Sequence, residues 1–484
     1  GHITREEADS YNRTGDNGWG DRKIMERLGF EFNWNSNIGS NVLLDPCFPE
    51  TVLEEKEDGS RVVQNGLGLI CMVKPGITSI PAMVGTALKD RKTWEQDYLP
   101  RLQMNEKRIP MELLKTLPAP QEREHPLGLH LGSLMGYMRD MLSLEEMSVL
   151  YVEDEDLYRE VADTLGGLCY DCAKAMLESG CIDMVMICTP HFYHPNMAIQ
   201  SISQGIHTMI EKPVGIFPEE LNALEACLRT HPEVKAGVLY CRRTNPIFLQ
   251  IKEFLDSGAL GQLKRVTWII TNASVYRTQA YYNTANWRGT YVGEGGGLLL
   301  NQVSHHIDML VWLLGLPEAI QANCYTARER HIEVENEVSI TMEYPGQTIG
   351  QFISSTREFP GTNRLEISGS KAQLILENEK DLTIRKLGVE ETEFNRTTDI
   401  PYAFIPYEEE IHHFQPYENP DIQARIVNNF LCAIADGTPI ACPVEEAVLS
   451  QQFIIGAYLS SWQKKKLMLP ADGKAFTEEL KKRQ

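Results

Sequence analysis

Residues 182–194 read IDMVMICTPHFYH, and residues 207–213 read HTMIEKP. In each segment a short apolar run ends in polar residues and a proline, as at the carboxyl end of a buried parallel strand. Helical patterns over 196–204 and 219–229 separate these runs from one another and from a third run, 234–240. Strands that alternate with helices of this length predict βαβ units and a parallel sheet.

After residue 263 the pattern changes, because apolar strands follow one another with short turns such as Pro345-Gly346 and Gly369-Ser370 between them. Successive strands joined in this way predict an antiparallel or mixed sheet. The predicted strands are 265–271, 337–343, 347–354, 364–368 and 373–376. One predicted helix, 301–314, interrupts them, and two late helices, 422–435 and 444–462, are expected to pack back. The fold class is therefore α/β followed by α+β.

The first part of the chain is different. Residues 35–120 are irregular and rich in turns, and a helical zone follows over 143–179. Its apolar residues recur at three- and four-residue steps and predict one buried stripe: Leu157, Val161, Leu165, Leu168, Cys172 and Met176. We find no G-x-G-x-x-G upstream of residue 182, since Gly66-x-Gly68 precedes an apolar run and not a helix.

Composition limits the function classes. The 484 residues carry a formal net charge of -21, which repels phosphate backbones and anionic lipid, so we expect neither nucleic acid nor a membrane as partner. The first 21 residues are polar and contain several glycines, so we do not expect them to be a secretory signal peptide. Eleven scattered cysteines indicate reduced thiols and a cytoplasmic location. Cys169-x-x-Cys172 has no second pair, so we predict no metal site.

Three polar residues follow the glycine-rich run 293–297 at helical spacing: Asn301, His305 and Asp308. On a helix over 301–314 they share one face, and the glycines let the backbone approach a ligand closely. The imidazole of His305 titrates near neutrality and suits the role of a general base. Lys212, at a strand end, would stabilise a negative charge that develops on a substrate oxygen. Asn301 would orient the substrate or the imidazole.

These segments together resemble the glucose-fructose oxidoreductase/inositol dehydrogenase (Gfo/Idh/MocA) family over about 182–470. The resemblance is carried by the ordered motifs 182–194, Glu211-Lys212-Pro213, 242–246, Trp287-Arg288-Gly289, 293–297, 301–308 and 363–369. It implies NAD or NADP as cofactor, with the glycine-rich pyrophosphate loop absent. Many members carry Asp where this chain has Asn301, which replaces a charge by an amide.

The resemblance also implies roles for individual residues. The implied catalytic residues are Lys212, His305 and Asn301. The implied substrate-binding residues are Asp308, Arg288 and Trp287. The implied cofactor-binding residues are Thr189, Pro190, His194, Glu211 and Pro213.

Residues 19–180 are similar to the first half of uroporphyrinogen decarboxylase-like proteins, which use a TIM barrel. The similarity is carried by segments 52–55, 58–59, 79–81, 88–95, 101–102 and 132–139. We therefore expect three domains: a decarboxylase-like fragment (1–181), an incomplete Rossmann domain (182–245) and a substrate and oligomerisation domain (246–484). A mis-joined gene product and a true fusion both explain this order, and we favour the first.

The leading functional hypothesis is a NAD(P)-dependent oxidoreductase acting on a secondary hydroxyl of a sugar, sugar derivative or cyclitol. A homo-oligomer formed through the C-terminal sheet is implied by the same resemblance. Two alternatives stand beside it. One is a decarboxylase or corrinoid methyltransferase-like protein, and the other is a non-catalytic sugar-binding or oligomerising module.

Overall fold

The computed structural model describes residues 36–39, 44–56, 59–73, 82–103, 108, 115, 127–130, 134–165, 170–414 and 419–484. The chain divides into two compact units, Gly1–Tyr170 and Asp171–Gln484. Among the described residues, no helix combines the length and hydropathy needed to cross a bilayer. The predicted turns at Asp58 and 79–81, together with Gly132, Ser133 and Leu168, lie outside the described residues.

Antiparallel strands dominate the first unit. Strands β2 to β5 pair in sequence order. The β3–β4 turn is closed by Asn65, whose side-chain oxygen accepts from the backbone N–H groups of Leu67 (2.9 Å) and Leu69 (3.0 Å). β1 pairs in parallel with β6. A half TIM barrel requires parallel strands linked by helices, so the described residues do not show the predicted barrel fragment. The strand bounds are β1 Ser36–Gly39, β2 Thr51–Glu55, β3 Arg61–Gln64, β4 Leu69–Val73, β5 Ala82–Thr86 and β6 Leu127–His130.

The helical part of the first unit has its own apolar core, which includes Trp94, Tyr98, Leu157 and Val161. Helical turns cover Arg91–Thr93, Trp94–Tyr98 and Leu99–Leu102, and helices follow as α1 Leu134–Leu142, α2 Leu144–Glu153 and α3 Glu155–Thr164.

The predicted apolar stripe is confirmed only at its start. Asp154 ends α2 and caps α3, its side chain accepting from Leu157 N, which breaks the helical zone. Cys172 is exposed where the stripe predicts burial.

The second unit begins with the predicted parallel sheet, in the order β7-β8-β9. α5 and α6 follow β7 and β8, and Ala198, Ile202 and Leu224 from these helices are buried. A Rossmann-like parallel sheet is therefore present. Its elements are α4 Ala173–Leu177, β7 Met184–Ile187, α5 His194–Ile202, β8 His207–Ile210, α6 Pro218–Thr230, β9 Ala236–Val238 and α7 Pro246–Asp256.

A nine-stranded mixed sheet follows, in the order β17-β16-β15-β14-β10-β13-β12-β11-β18. β10 and β13 are its parallel pair, and its other neighbours are antiparallel. Alternating burial along β12 and β13 shows one face against the core and one outside. The strands are β10 Leu263–Ile270, β11 Ala319–Thr326, β12 Glu335–Tyr344, β13 Thr348–Ser355, β14 Asn363–Gly369, β15 Ala372–Glu377, β16 Asp381–Leu387, β17 Tyr407–His413 and β18 Leu467–Met468. The sequence analysis missed β11, β16, β17 and β18.

One apolar core joins the two sheets of this unit and the C-terminal helices. Val238 N in β9 donates to Cys442 O (2.9 Å), just before α13. The chain therefore returns to the parallel sheet before it adds β18, the last strand of the mixed sheet. The remaining helices are α8 Gln279–Tyr282, α9 Tyr291–Glu294, α10 Ser304–Leu314, α11 Glu391–Thr397, α12 Asn419–Ala435, α13 Val444–Gln463 and α14 Gly473–Lys481.

Candidate active site

The turns that follow β7 and β8 are braced by one histidine. His194 is fully buried, with Nδ1 2.8 Å from Pro213 O and Nε2 2.7 Å from Thr189 O. Both ring nitrogens are therefore occupied by backbone carbonyls of the two turns. His194 thus braces the two strand ends, and the cofactor contact that the resemblance implies for it stays a prediction.

The other implied cofactor residues lie at this carboxyl edge. Thr189 is half-buried, with Oγ1 3.5 Å from Met197 Sδ, and Pro190 is exposed. Glu211 is half-buried, and burial raises the pKa of its carboxyl. Pro213 is buried, and its peptide bond to Lys212 is cis. The carboxyl ends of neighbouring parallel strands form a crevice in which ligands bind, so these residues border such a crevice.

Lys212 reaches from the β8 edge to the loop before α10. Its Nζ donates to Asn301 O at 3.1 Å and lies 3.5 Å from Asn301 Oδ1. Desolvation lowers the pKa of Lys212, and the nearby carboxylates of Glu211 and Glu294 partly oppose this shift. Two residues far apart in sequence are thus brought together.

Asn301 does not lie on the predicted helix. Its N–H donates to Gly297 O (2.9 Å), and α10 begins only at Ser304. Its amide is oriented by Glu294, whose Oε1 accepts from Asn301 Nδ2 at 2.7 Å. The other oxygen of Glu294 accepts from Gly289 N at 2.6 Å, and burial raises the pKa of this carboxyl.

His305 lies in the first turn of α10 and is partly exposed. Its Nδ1 is buried without a hydrogen-bond partner among the described residues, and its ring packs edge-on against Tyr240 at 5.6 Å. Burial, followed by the positive charges of Lys212 and Arg242, holds the pKa of His305 well below its usual range. The imidazole is therefore neutral near pH 7, and it lies within the field of the Lys212 ammonium.

Two glycines of the run 293–297 pack closely against other parts of the protein. A Cβ on Gly297 would lie 2.2 Å from Glu335 O, and one on Gly296 would lie 2.2 Å from the Tyr458 hydroxyl oxygen. Glycine at these two positions thus lets Glu335 and Tyr458 lie close to the backbone of the loop. Glu335 holds this loop in place by hydrogen bonds. Its carboxylate accepts from Gly297 N (3.0 Å), Leu299 N (2.8 Å) and Tyr458 OH (2.8 Å). Burial raises the pKa of Glu335 to about 7.

Asp308 does not face the crevice. It is fully buried, and its two oxygens each accept from Arg243 at 2.8 Å. Ser450 of α13 donates a further bond to Asp308 Oδ1 at 2.9 Å. Both oxygens of Asp308 are thus bonded to other residues of the protein. The structure therefore places Asp308 in an internal ion pair and not among groups available to substrate. His306 is likewise internal, with Nε2 3.1 Å from Glu379 Oε1.

Arg288 and Trp287 lie beside the same loop. The Arg288 guanidinium is 4.5 Å from the Trp287 ring centroid and 4.7 Å from that of Tyr281, and Trp287 is 48% exposed. Arg288 Nη1 donates to Tyr281 OH at 2.8 Å. An exposed aromatic ring beside a guanidinium is suited to contact a polyol.

Sequence reasoning missed Glu294 and Glu335. Glu294 stands inside the quoted glycine run, so an acidic residue among glycines was an available signal. Glu335 had none, since it precedes the predicted strand 337–343 by two positions and looks like an ordinary strand residue.

Two family descriptions match this chain. The oxidoreductase family with an NAD-binding Rossmann fold matches residues 128–238, and the GFO/IDH/MocA C-terminal domain matches residues 248–375. The first match starts at residue 128, well before residue 182, where we placed the start of the resemblance. It therefore includes part of the segment assigned to the decarboxylase-like fragment, and that assignment stays a prediction.

Among curated relatives, oxidoreductase P35 of Formosa agariphila is 32% identical over 169 residues, which are 34% of this chain and 51% of that protein. The chain thus spans about half the length of that relative. Inositol 2-dehydrogenase of Rhizobium meliloti is 24% identical over 59% of this chain and 81% of that protein.

Among solved structures, the WlbA dehydrogenase from Bordetella pertussis, in complex with NADH and UDP-GlcNAcA, matches with a TM-score of 0.52 and 22% identity. The match covers 66% of this chain and 89% of that one. Levoglucosan dehydrogenase, in complex with NADH and L-sorbose, matches with a TM-score of 0.52 and 19% identity, over 65% and 87%. At these identities the likeness shows a shared fold.

Proposed function

Over these matched residues the chain belongs to the Gfo/Idh/MocA oxidoreductase family, and from this premise we propose that it is a NAD(P)-dependent dehydrogenase. Its substrate would present a secondary hydroxyl of a sugar, sugar derivative or cyclitol. The observation that supports this best is the meeting of Lys212 from the β8 edge with Asn301, four residues before a neutral His305.

The residues at the strand edge fit the nicotinamide end of a dinucleotide. Thr189, Pro190, Glu211 and Pro213 border the crevice, and His194 holds the two turns that carry them. When bound, the nicotinamide ring supplies the acceptor for the hydride. Because the pKa of His305 is depressed, its imidazole is neutral near pH 7. A neutral imidazole can accept the proton that leaves the substrate hydroxyl during the oxidation.

Three side chains of the site would have separate roles in the oxidation. Lys212 Nζ would donate to the substrate oxygen and stabilise the negative charge that develops there. His305 would accept the hydroxyl proton as general base. Asn301, fixed by Glu294, would keep the ammonium in place, and the packing of Tyr240 against His305 would hold the imidazole.

Cofactor titration tests the proposal. We expect NADH or NADPH fluorescence to be altered by micromolar protein, and turnover to be lost in His305→Ala and Lys212→Met. Lys474→Met is the matched control, since this lysine is exposed in the first turn of α14. Turnover retained by His305→Ala would remove that residue from the mechanism. Sugar binding without cofactor binding would favour the non-catalytic module.

We further propose that the outer face of the mixed sheet pairs two copies of the chain. Ile349 and Ile411 are each 54% exposed and Tyr407 is 55% exposed on strands of this sheet. Exposed apolar side chains on a sheet face are typical of an interface. Light scattering on wild type and Ile349→Lys would test this, because a monomeric wild type contradicts the pairing.

A further inference from the structure

Three arginines gather around two tyrosine rings near the candidate site. The Arg277 guanidinium lies 5.1 Å from the Tyr281 ring centroid, on which Arg288 also packs. Arg330 Nε donates to Arg277 O at 2.9 Å, and its guanidinium lies 5.8 Å from the Tyr276 ring. Three positive charges are thus concentrated in one small region.

None of these three guanidinium groups forms an ion pair with a carboxylate anywhere in the part of the chain that the structure describes. This is unexpected in a chain with 67 acidic and 46 basic residues. Moreover, Arg288 Nε is buried without a partner among the described residues. A buried donor left unpaired is unfavourable because it has lost its hydrogen bonds to water, so a ligand that accepts from it would restore a hydrogen bond.

The arginines connect to the reacting groups through short contacts. Gly289 is next to Arg288, and its N–H donates to the Glu294 carboxylate. The same carboxylate accepts from the Asn301 amide, and the Asn301 carbonyl oxygen accepts from Lys212 Nζ. Beside Arg288 lies a cleft of about 400 Å³, lined in part by Tyr282, Gly289, His331 and Glu333. Glu333 is the carboxylate of this cleft, and its Oε2 accepts from Tyr291 N at 3.3 Å.

We propose that Arg277 and Arg288 bind an anionic group, a carboxylate or phosphoryl group, carried by the substrate. The substrate would then be a sugar acid or a sugar phosphate and not a neutral polyol. Guanidinium groups pair with such oxyanions through two parallel N–H donors, and the aromatic rings hold the forks in position. The choice of a hydroxyl as the reacting group rests on the proposed function, whereas the anion site does not.

Direct binding tests the anion site without turnover. Calorimetry with inorganic phosphate, D-glucuronate, D-glucose 6-phosphate and D-glucose would be compared in wild type, Arg277→Met, Arg288→Met and the control Arg229→Met. Arg229 lies at the end of α6, far along the chain from the cluster. We expect at least one of the three anions to bind about tenfold more tightly than glucose, equivalent to about 1.4 kcal/mol.

That preference should disappear in Arg277→Met and Arg288→Met, persist in Arg229→Met, and weaken as salt is added. Absence of binding by all three anions at millimolar concentration would overturn the proposal, and so would a preference that survives both variants. Arginine-dependent anion binding by a protein that never binds NADH would refute the dehydrogenase and leave the anion site standing. If the protein turns over neutral sugars and binds none of the anions, the anion site is refuted and the dehydrogenase stands.

Discussion

The carboxylate of Glu294 accepts a 2.7 Å hydrogen bond from the amide of Asn301, and this bond decides which end of the amide faces Lys212. With Nδ2 donating to Glu294, Oδ1 is left at 3.5 Å from the Lys212 ammonium. An aspartate at position 301 would place a negative charge next to Lys212. In this chain the negative charge lies on Glu294, which contacts Asn301, and Asn301 in turn contacts Lys212. This relationship makes Glu294 a positioning residue that acts through Asn301.

Exchanging the charge between these two residues gives the first prediction. Glu294→Gln and Asn301→Asp should each lower kcat, the first by disturbing the amide and the second by placing two carboxylates in contact. The double variant should recover much of the loss, because one carboxylate and one amide again face each other. We expect a coupling energy of about 1–3 kcal/mol in the double-mutant cycle.

The measurement is kcat and KM for all four proteins, with Glu478→Gln as control. Glu478 is exposed on α14 and lies outside the candidate site. Strictly additive losses would show that Glu294 supports the fold without positioning Lys212.

The second prediction concerns the pH dependence of kcat/KM. His305 must be neutral to accept a proton, and its pKa is depressed, so the acid limb should fall below pH ~6.5. Lys212 must be charged, and its pKa is also depressed, so the alkaline limb should begin below pH ~10.4. Activity is therefore lost as pH falls through the pKa of His305 and as it rises through that of Lys212.

Lys212→Arg separates the two limbs. Arginine stays protonated to pH ~12 or above, so this variant should keep the acid limb and lose the alkaline one, even at a reduced rate. An unchanged alkaline limb in Lys212→Arg would assign that titration to another group.

The third prediction concerns the glycine loop. Gly297→Ala should destabilise the second unit by about 1–3 kcal/mol, because the new methyl group would lie 2.2 Å from a backbone oxygen of Glu335. Denaturant unfolding measures the change. Gly388→Ala is the milder comparison, since its Cβ would lie 3.2 Å from Pro406 O. Equal stability of the two variants would mean that the loop shifts easily away from Glu335.

The fourth prediction tests the internal position of Asp308. Asp308→Ala removes the fully buried partner of Arg243 and leaves this arginine paired with the more exposed Glu446, so it should cost up to about 3–5 kcal/mol of stability. Asp308→Asn keeps the shape and should cost less, providing folded protein for kinetics. We expect its KM for sugar at low temperature to match wild type. A raised KM with unchanged unfolding would restore Asp308 to the substrate site.

Much of the second unit could be predicted from local pattern. α5 and α6 begin and end within two residues of the predicted bounds, and β9 lies inside the predicted run 234–240. Apolar period and turn residues are local properties, so a single sequence shows them. The same local evidence failed for α10, because Val303 precedes it without a side-chain cap and residues 298–303 turn before the helix begins.

The first unit shows the limit of local evidence. Turns and apolar positions matched a barrel family, and the described strands β2 to β5 form an antiparallel sheet that does not show such a barrel. A short apolar run has the same appearance in either arrangement, since pairing direction depends on the partner strand and not on the strand itself.

The sequence by itself determined the order of the strands and helices in the second unit and the polar groups that stand at their ends. Only the tertiary structure decided which of those groups meet: Lys212 with Asn301, Glu335 with the glycine loop, and Asp308 with Arg243 instead of the crevice. The reason is physical. Spacing along a chain fixes the face of an element, whereas a contact between distant residues is set by how the elements pack around a shared core.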